Sequence, residues 1–222
     1  MHEDDIIKKI RSIVFGMEDG LVSIWGLVVG VSVGSNSSQA VILAGIAGAV
    51  SAALSMAAGE YLSSKSKREV QVAAINRIRK QVKRNKKAAL KRLKNHYIDE
   101  GFTEKQAKTM ISAMARSDKK IIQQLVESEG HVKQTLEQPQ QNAYYMFFSF
   151  IIAALFPIAP FILQPIAQAQ QTSLVVTAIA LFLVGATKSQ ATEKSWFKSG
   201  AEMLVIGSLA GAAGYLVGNF FA

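Results

Sequence analysis

Apolar residues are gathered into five blocks along the chain, separated by short polar turns and by one long charged segment. Most blocks approach the length of about 20 residues that a helix needs to cross a bilayer core about 30 Å thick, although the fourth is short. The pattern therefore predicts an all-α membrane protein with five transmembrane helices. The blocks cover residues 13–34, 40–62, 143–163, 173–187 and 200–221.

The charged segment between the second and third blocks has the spacing of amphipathic helices. Because residues 65–96 contain neither glycine nor proline, we predict one long helix that continues out of the second span. Thr103 with Gln106 fits a capping box that opens a second helix, and Ser117 is a candidate cap for a third. The sequence thus predicts a three-helix domain inserted between transmembrane helices 2 and 3. The predicted segments are 1–64, 65–140 and 141–222.

All lysines and arginines lie in the N-terminal tail, in the middle segment 65–133 or in the stretch 188–198. With five spans, these three basic segments fall on one side of the membrane, and the uncharged turns at 35–39 and 164–172 fall on the other. Cytoplasmic loops of membrane proteins are enriched in lysine and arginine. We therefore expect the N-terminus and the 65–140 domain to be cytoplasmic and the C-terminus to lie outside.

Composition excludes several other classes of protein. The net charge of +9 reflects membrane topology here, so nucleic acid is not an expected partner. The chain has no cysteine, so a metal ion must be held by oxygen, imidazole or thioether. Acidic residues precede and enter the first apolar block, which argues against a cleavable signal peptide. With three scattered histidines and neither a nucleophile–base arrangement nor a phosphate loop, an enzyme is not expected.

Acidic residues stand at both ends of an uncharged stretch that runs from Gly20 to Gly59. Asp19 precedes this stretch and Glu60 follows it, while Met56 lies one helical turn before Glu60 on the same face. An ionisable residue at membrane depth costs several kcal/mol unless it faces protein, water or an ion, so the two acids are functional candidates. The alternative is that both carboxylates lie at the membrane interface, where they cost little.

Asp19, Met56 and Glu60 together suit a transition metal ion. Carboxylates supply charge and hard oxygen, whereas a thioether adds a softer donor that Fe²⁺, Co²⁺, Ni²⁺ and Mn²⁺ accept to differing degrees. Taken singly, a methionine such as Met56 is more often a packing residue than a ligand. Glu202 in the fifth block is a further candidate ligand, with an interfacial position beside Lys198 as the alternative.

Three segments resemble the vacuolar iron transporter family, which includes yeast calcium-cross-complementing transporters, plant iron-storage transporters and prokaryotic relatives. They are Asp19–Ser23, Leu54–Tyr61 and Ser195–Leu204, the last of which looks like the family's final helix. The resemblance implies a homodimer that exchanges Fe²⁺ or Mn²⁺ for protons along a pathway at the subunit interface, with no permanently bound cofactor. It places Asp19 and Met56 at the positions of the family's transport residues and, on the orientation above, implies removal of metal from the cytoplasm.

Two features depart from the family's pattern. Gly48 stands where some members carry a carboxylate, and the plant-type cytoplasmic metal store is rich in glutamate and methionine, whereas Glu69 is the one acid here before Asp99. Because a positive surface repels divalent cations, we expect this domain to contact anionic lipid headgroups, with a plain solvated basic face as the alternative. The competing function is a non-transporting membrane anchor whose basic helices bind acidic lipid or an anionic partner. With no organelle signal evident, the expected host membrane is a prokaryotic plasma membrane.

Overall fold

A computed structural model describes residues 3–128, 138–189 and 195–222, with side chains described from Lys9 onward. Within these ranges the chain forms eight α-helices and no strand. The helices are α1 (Glu3–Ser35), α2 (Ser38–Arg84), α3 (Lys86–Asp99), α4 (Glu104–Met114), α5 (Asp118–Ser128), α6 (Pro139–Leu163), α7 (Ile166–Ser189) and α8 (Trp196–Phe221).

Five of the described helices, α1, α2, α6, α7 and α8, are long and apolar enough to cross a membrane. Their outward surfaces carry large apolar side chains, among them Leu155, Leu183 and Leu209, each of which is more than half exposed. In water, so much exposed apolar surface would favour aggregation. In a bilayer, an apolar helix is stable because its backbone hydrogen bonds are satisfied within the helix. The chain is therefore an integral multi-pass membrane protein, and for the described residues the predicted all-α class and the five apolar helices long enough to cross a membrane are confirmed.

The fourth span begins earlier than its apolar block predicted. Hydropathy placed this span at 173–187, whereas α7 starts at Ile166. The additional turns are rich in glutamine, and their polar side chains find partners inside the protein. The Gln170 amide nitrogen donates to the Ser32 carbonyl oxygen at 3.3 Å, and the Thr172 hydroxyl donates to the Gln164 side chain at 2.8 Å. A hydropathy count cannot register such pairing, which is why these turns escaped prediction.

The chain divides into two compact units. The first comprises Glu3–Leu62 and Pro139–Ala222, and the second comprises Ser63–Gln138. In the first unit α1 contributes to two apolar clusters. Ile24 and Val28 pack with α2 and α6, and Leu21 and Trp25 pack with α7 and α8. Because all four of these side chains are almost fully buried, α1 is the helix around which this unit is built.

Glycines bring α1 and α8 into backbone contact. Gly26 and Gly30 of α1 face Gly214 and Gly218 of α8, and Gly34 also lies against Gly218; we call these five residues the glycine seam. A Cβ added at Gly30 would lie 3.0 Å from the Gly214 carbonyl oxygen, and one at Gly214 would approach the Gly26 carbonyl oxygen more closely than real Cβ atoms do. Small residues four apart let two helix backbones approach closely, and the structure shows that these two glycine series pair with each other.

In the second unit, the last turns of α2 pack with α3, α4 and α5 around a small apolar core. The predicted capping box is confirmed, since Thr103 and Gln106 bond reciprocally at the start of α4. Ser117 accepts a hydrogen bond from the Lys120 amide at 3.4 Å just before α5. Gly101 follows α3 with a φ of +95°, a conformation that glycine adopts without strain.

The single helix predicted over residues 65–96 is wrong, because the helix breaks at Asn85. α2 ends at Arg84 and α3 begins at Lys86, with the Asn85 side-chain oxygen accepting a hydrogen bond from the Ala88 amide at 3.0 Å. An asparagine can cap a new helix without any glycine or proline nearby, so the absence of those two residues does not predict an unbroken helix. The change of direction lets α3 close the apolar core against the end of α2.

Candidate functional site

Asp19 lies near the middle of α1 and is half-buried. One turn later, the Ser23 hydroxyl donates to the Asp19 carbonyl oxygen at 2.5 Å. Gly16 and Gly20 pack directly on α6, and a Cβ at Gly20 would lie 2.6 Å from the Phe150 carbonyl oxygen. The backbone on either side of Asp19 is therefore held against α6, which fixes the place from which this carboxylate projects.

Met56 and Glu60 both lie on the protein-facing side of α2. Met56 is half-buried and packs against the apolar cluster formed by α1, α2 and α6. The Glu60 side chain is only 12% exposed, and its Oε1 atom lies 3.6 Å from Nη2 of Arg11 on α1. The thioether and the carboxylate are thus both turned inward, in agreement with their spacing of one helical turn.

Glu202 is exposed on α8, whereas its neighbour Met203 is 2% exposed and packs against α7. Adjacent residues on a helix point about 100° apart, so these two side chains face different surroundings. Lys198, one turn before Glu202, is also exposed. The exposed position of Glu202 is therefore compatible with both hypotheses from the sequence. Glu202 is either an acid at the membrane interface or a metal ligand that faces a second protein surface.

The described part of the chain contains no group of three Asp, Glu or His side chains close enough to hold a metal ion. Asp19, Glu60 and Glu202 lie on three different helices, and Met56 shares a face with Glu60 alone. The described residues of one chain therefore offer separate candidate donors that do not form a single group. The assignment of Asp19, Met56, Glu60 and Glu202 to a metal site stays a prediction.

Sequence reasoning missed the cations that accompany two of the acids. Arg11 contacts Glu60, and the Lys188 Nζ atom lies 3.6 Å from the Glu18 carboxylate. A signal for the first pair was present, since Arg11 and Glu60 are almost equally far from the turn at Asn36 and such residues lie at similar heights in a helical hairpin. No comparable signal exists for the second pair, which joins helices that are distant in sequence.

Comparison with known proteins gives similarity along almost the whole chain. A family model described as the VIT family matches residues 10–219. Vacuolar iron transporter 1 of Eucalyptus grandis is 26% identical over 208 residues, which cover 93% of this chain and 84% of the relative. Vacuolar iron transporter 1 of Oryza sativa subsp. japonica is 28% identical over 211 residues, or 93% and 82% of the two chains. The vacuolar iron transporter of Toxoplasma gondii is 25% identical over 221 residues, or 95% and 73%.

Proposed function

Because the chain belongs to the VIT family, whose members are transporters and not enzymes, we propose that it carries divalent transition metal ions across its membrane. The observation that carries the proposal is the partial enclosure of the carboxylates at both ends of the uncharged stretch from Gly20 to Gly59, with Asp19 half-buried and the Glu60 side chain 12% exposed. Relatives that match nearly the full chain are named vacuolar iron transporters, so Fe²⁺ is the first candidate cargo. Mn²⁺ is the second, because its ligand preferences overlap with those of Fe²⁺.

The proposed transport step replaces the ion's water with protein donors. Asp19 and Glu60 supply negative charge and oxygen, and Met56 supplies sulfur. Since the described donors of one chain do not gather into a closed site, a second copy related by two-fold symmetry would complete the coordination shell. This supports a homodimer with the pathway at the subunit interface, where the exposed Glu202 is available as a further oxygen donor.

Proton exchange is proposed to use the carboxylate of Asp19. In a medium of low dielectric constant, a carboxylate that loses its metal ion favours the neutral, protonated form, so metal and proton are alternative occupants of one oxygen. A proton gradient can therefore drive the metal in the opposite direction. The basic segments favour a cytoplasmic N-terminus and second unit, which gives export from the cytoplasm across a prokaryotic plasma membrane.

The second unit is proposed to contact anionic lipid headgroups and to have no role as a metal store. Its exposed surface repels divalent cations because it is densely basic. A well-placed lysine or arginine near an anionic bilayer surface contributes about 1 kcal/mol. Exposed basic residues of this surface include Lys80, Lys83, Arg84, Lys87 and Lys91.

The test is uptake of Fe²⁺ and Mn²⁺ into proteoliposomes under an imposed pH gradient. Asp19→Asn removes the charge at nearly constant size and is expected to reduce flux to the level of protein-free liposomes. Asp118→Asn is the matched control, because Asp118 is an exposed aspartate of α5 paired with Lys86, and full flux is expected. Undiminished flux in Asp19→Asn would remove this residue from the pathway. Folded wild-type protein that moves neither ion would favour the membrane anchor.

A further inference from the structure

The ion pair between Arg11 and Glu60 connects the first span to the second. The two side chains differ in their surroundings, since the Glu60 side chain is 12% exposed and the Arg11 side chain is 60% exposed. A carboxylate that is mostly enclosed by protein needs positive charge or hydrogen-bond donors to offset its lost hydration. Arg11 supplies this positive charge from a flexible side chain that is itself largely exposed.

We propose that Arg11 is an internal competitor of the transported cation for Glu60. The guanidinium group neutralises the carboxylate when no metal ion is bound, and it withdraws when a metal ion takes the same oxygen atoms. This inference rests on the proposed transport function. Arg11 is a positioning residue and not a ligand, because a guanidinium group stays protonated in proteins and has no lone pair to offer.

The geometry suits reversible displacement. The distance of 3.6 Å between Nη2 and Oε1 is that of an ion pair and is longer than a charge-assisted hydrogen bond. Because the arginine side chain is largely exposed, it can move away without opening the apolar core. Because the guanidinium group of Arg11 stays charged at the pH of either compartment, it competes with the metal ion for Glu60 at both pH values.

Competition of this kind serves release as well as binding. A metal ion held by enclosed carboxylates would leave uncompensated charge behind when it departs, and the returning guanidinium removes that penalty. The apparent affinity for metal is the intrinsic affinity multiplied by the fraction of molecules in which Arg11 does not contact Glu60. Removing the competitor is therefore expected to tighten metal binding.

The experiment compares KM for Mn²⁺ uptake into proteoliposomes between wild type and Arg11→Gln. For an ion pair at the upper end of the usual range for partly exposed pairs, KM is expected to fall about fivefold. Lys9→Gln is the matched control, because it removes the same charge two residues earlier on α1 from a lysine placed 5.8 Å from the ring centre of Tyr145. KM of this control is expected to stay at the wild-type value. Arg11→Lys, which keeps a cation, guards against loss of folding and is expected to fall between wild type and Arg11→Gln.

A double-mutant cycle with Glu60→Gln isolates the pairwise effect. In the Glu60→Gln background, Arg11→Gln is expected to leave the dissociation constant for Mn²⁺ unchanged in equilibrium titration of the purified full chain, because the carboxylate for which guanidinium and metal compete is gone. The inference is overturned if KM is the same in wild type and Arg11→Gln, if Lys9→Gln lowers it equally, or if Arg11→Gln still tightens Mn²⁺ binding in the Glu60→Gln background.

Failure of the proposed function is recognised separately. If wild type transports neither ion, equilibrium titration of the purified full chain with Mn²⁺ still tests Arg11. Binding about fivefold tighter in Arg11→Gln supports the competition, and equal binding overturns it. If Arg11→Gln leaves KM unchanged while wild type transports, the transport function stands and the competition alone is refuted.

Discussion

Met56 carries the one sulfur among the predicted ligands, and its surroundings are compatible with two roles. It packs against the apolar cluster between α1, α2 and α6, as a buried methionine commonly does, and it lies one turn from the enclosed carboxylate of Glu60. A packing role depends on volume, whereas a ligand role depends on the sulfur atom. The two roles can therefore be separated by a substitution that conserves volume.

Met56→Leu keeps the volume and apolar character of the side chain and removes the sulfur. If Met56 is a ligand, Fe²⁺ and Co²⁺, which tolerate soft donors, are expected to lose about fivefold or more in transport relative to Mn²⁺. The measurement is competitive uptake of the ions into proteoliposomes, with Met203→Leu as the control for a buried methionine that packs against α7. Equal loss for all ions would assign Met56 to packing alone.

At the scale of single residues, the sequence predicted which side chains are unusual but not how they pair. Asp19, Met56 and Glu60 stand out because charge and sulfur appear beside an uncharged stretch. The inward orientation of Met56 and Glu60 and the contact of Glu60 with Arg11 depend on the rotation of α2 against α1, which is set by the packing of the whole unit. The exposure of Glu202 likewise depends on how α8 is seated against α7.

At the scale of helices, α1 and α8 are held together by the glycine seam, and this contact leaves no space for a side chain. Gly214→Ala would place a Cβ against the Gly26 carbonyl oxygen, and the resulting overpacking is expected to destabilise the fold by about 1–3 kcal/mol. Gly59→Ala is the control, since nothing lies within 4 Å of a Cβ added there. Thermal unfolding in detergent is expected to shift down for Gly214→Ala and to stay level or rise slightly for Gly59→Ala. Identical unfolding temperatures for both variants would contradict the close contact.

The existence and type of the long helices followed from the sequence, because twenty consecutive apolar residues have few alternative structures. Helix ends depended on local chemistry that a hydropathy pattern does not contain. Asn85 divides a predicted single helix through one side-chain hydrogen bond, and the polar first turns of α7 are stabilised by partners on other helices. Where the cap itself is a sequence motif, as at Thr103 with Gln106, the helix start was predicted correctly.

At the scale of the whole molecule, the absence of cysteine from the sequence makes the proposed orientation directly measurable. Gln39→Cys places a thiol at the exposed start of α2, and Ala88→Cys places one on the exposed side of α3. A membrane-impermeant maleimide is expected to label Gln39→Cys in intact cells and Ala88→Cys only after permeabilisation, because the basic segments favour the cytoplasmic side. The opposite pattern would reverse the orientation and, with it, the proposed direction of metal transport.

The glycine seam also limits how the first and last spans can move against each other. If α8 rotated about its own axis while advancing by one residue along α1, the side chain of Ala213 or Tyr215 would meet the carbonyl groups that now face Gly214. A slide by four residues, about 6 Å along the axis, would again set glycine opposite glycine. The close contact is therefore kept when α8 moves by four residues and lost when it moves by one, which opposes small screw movements between these two helices.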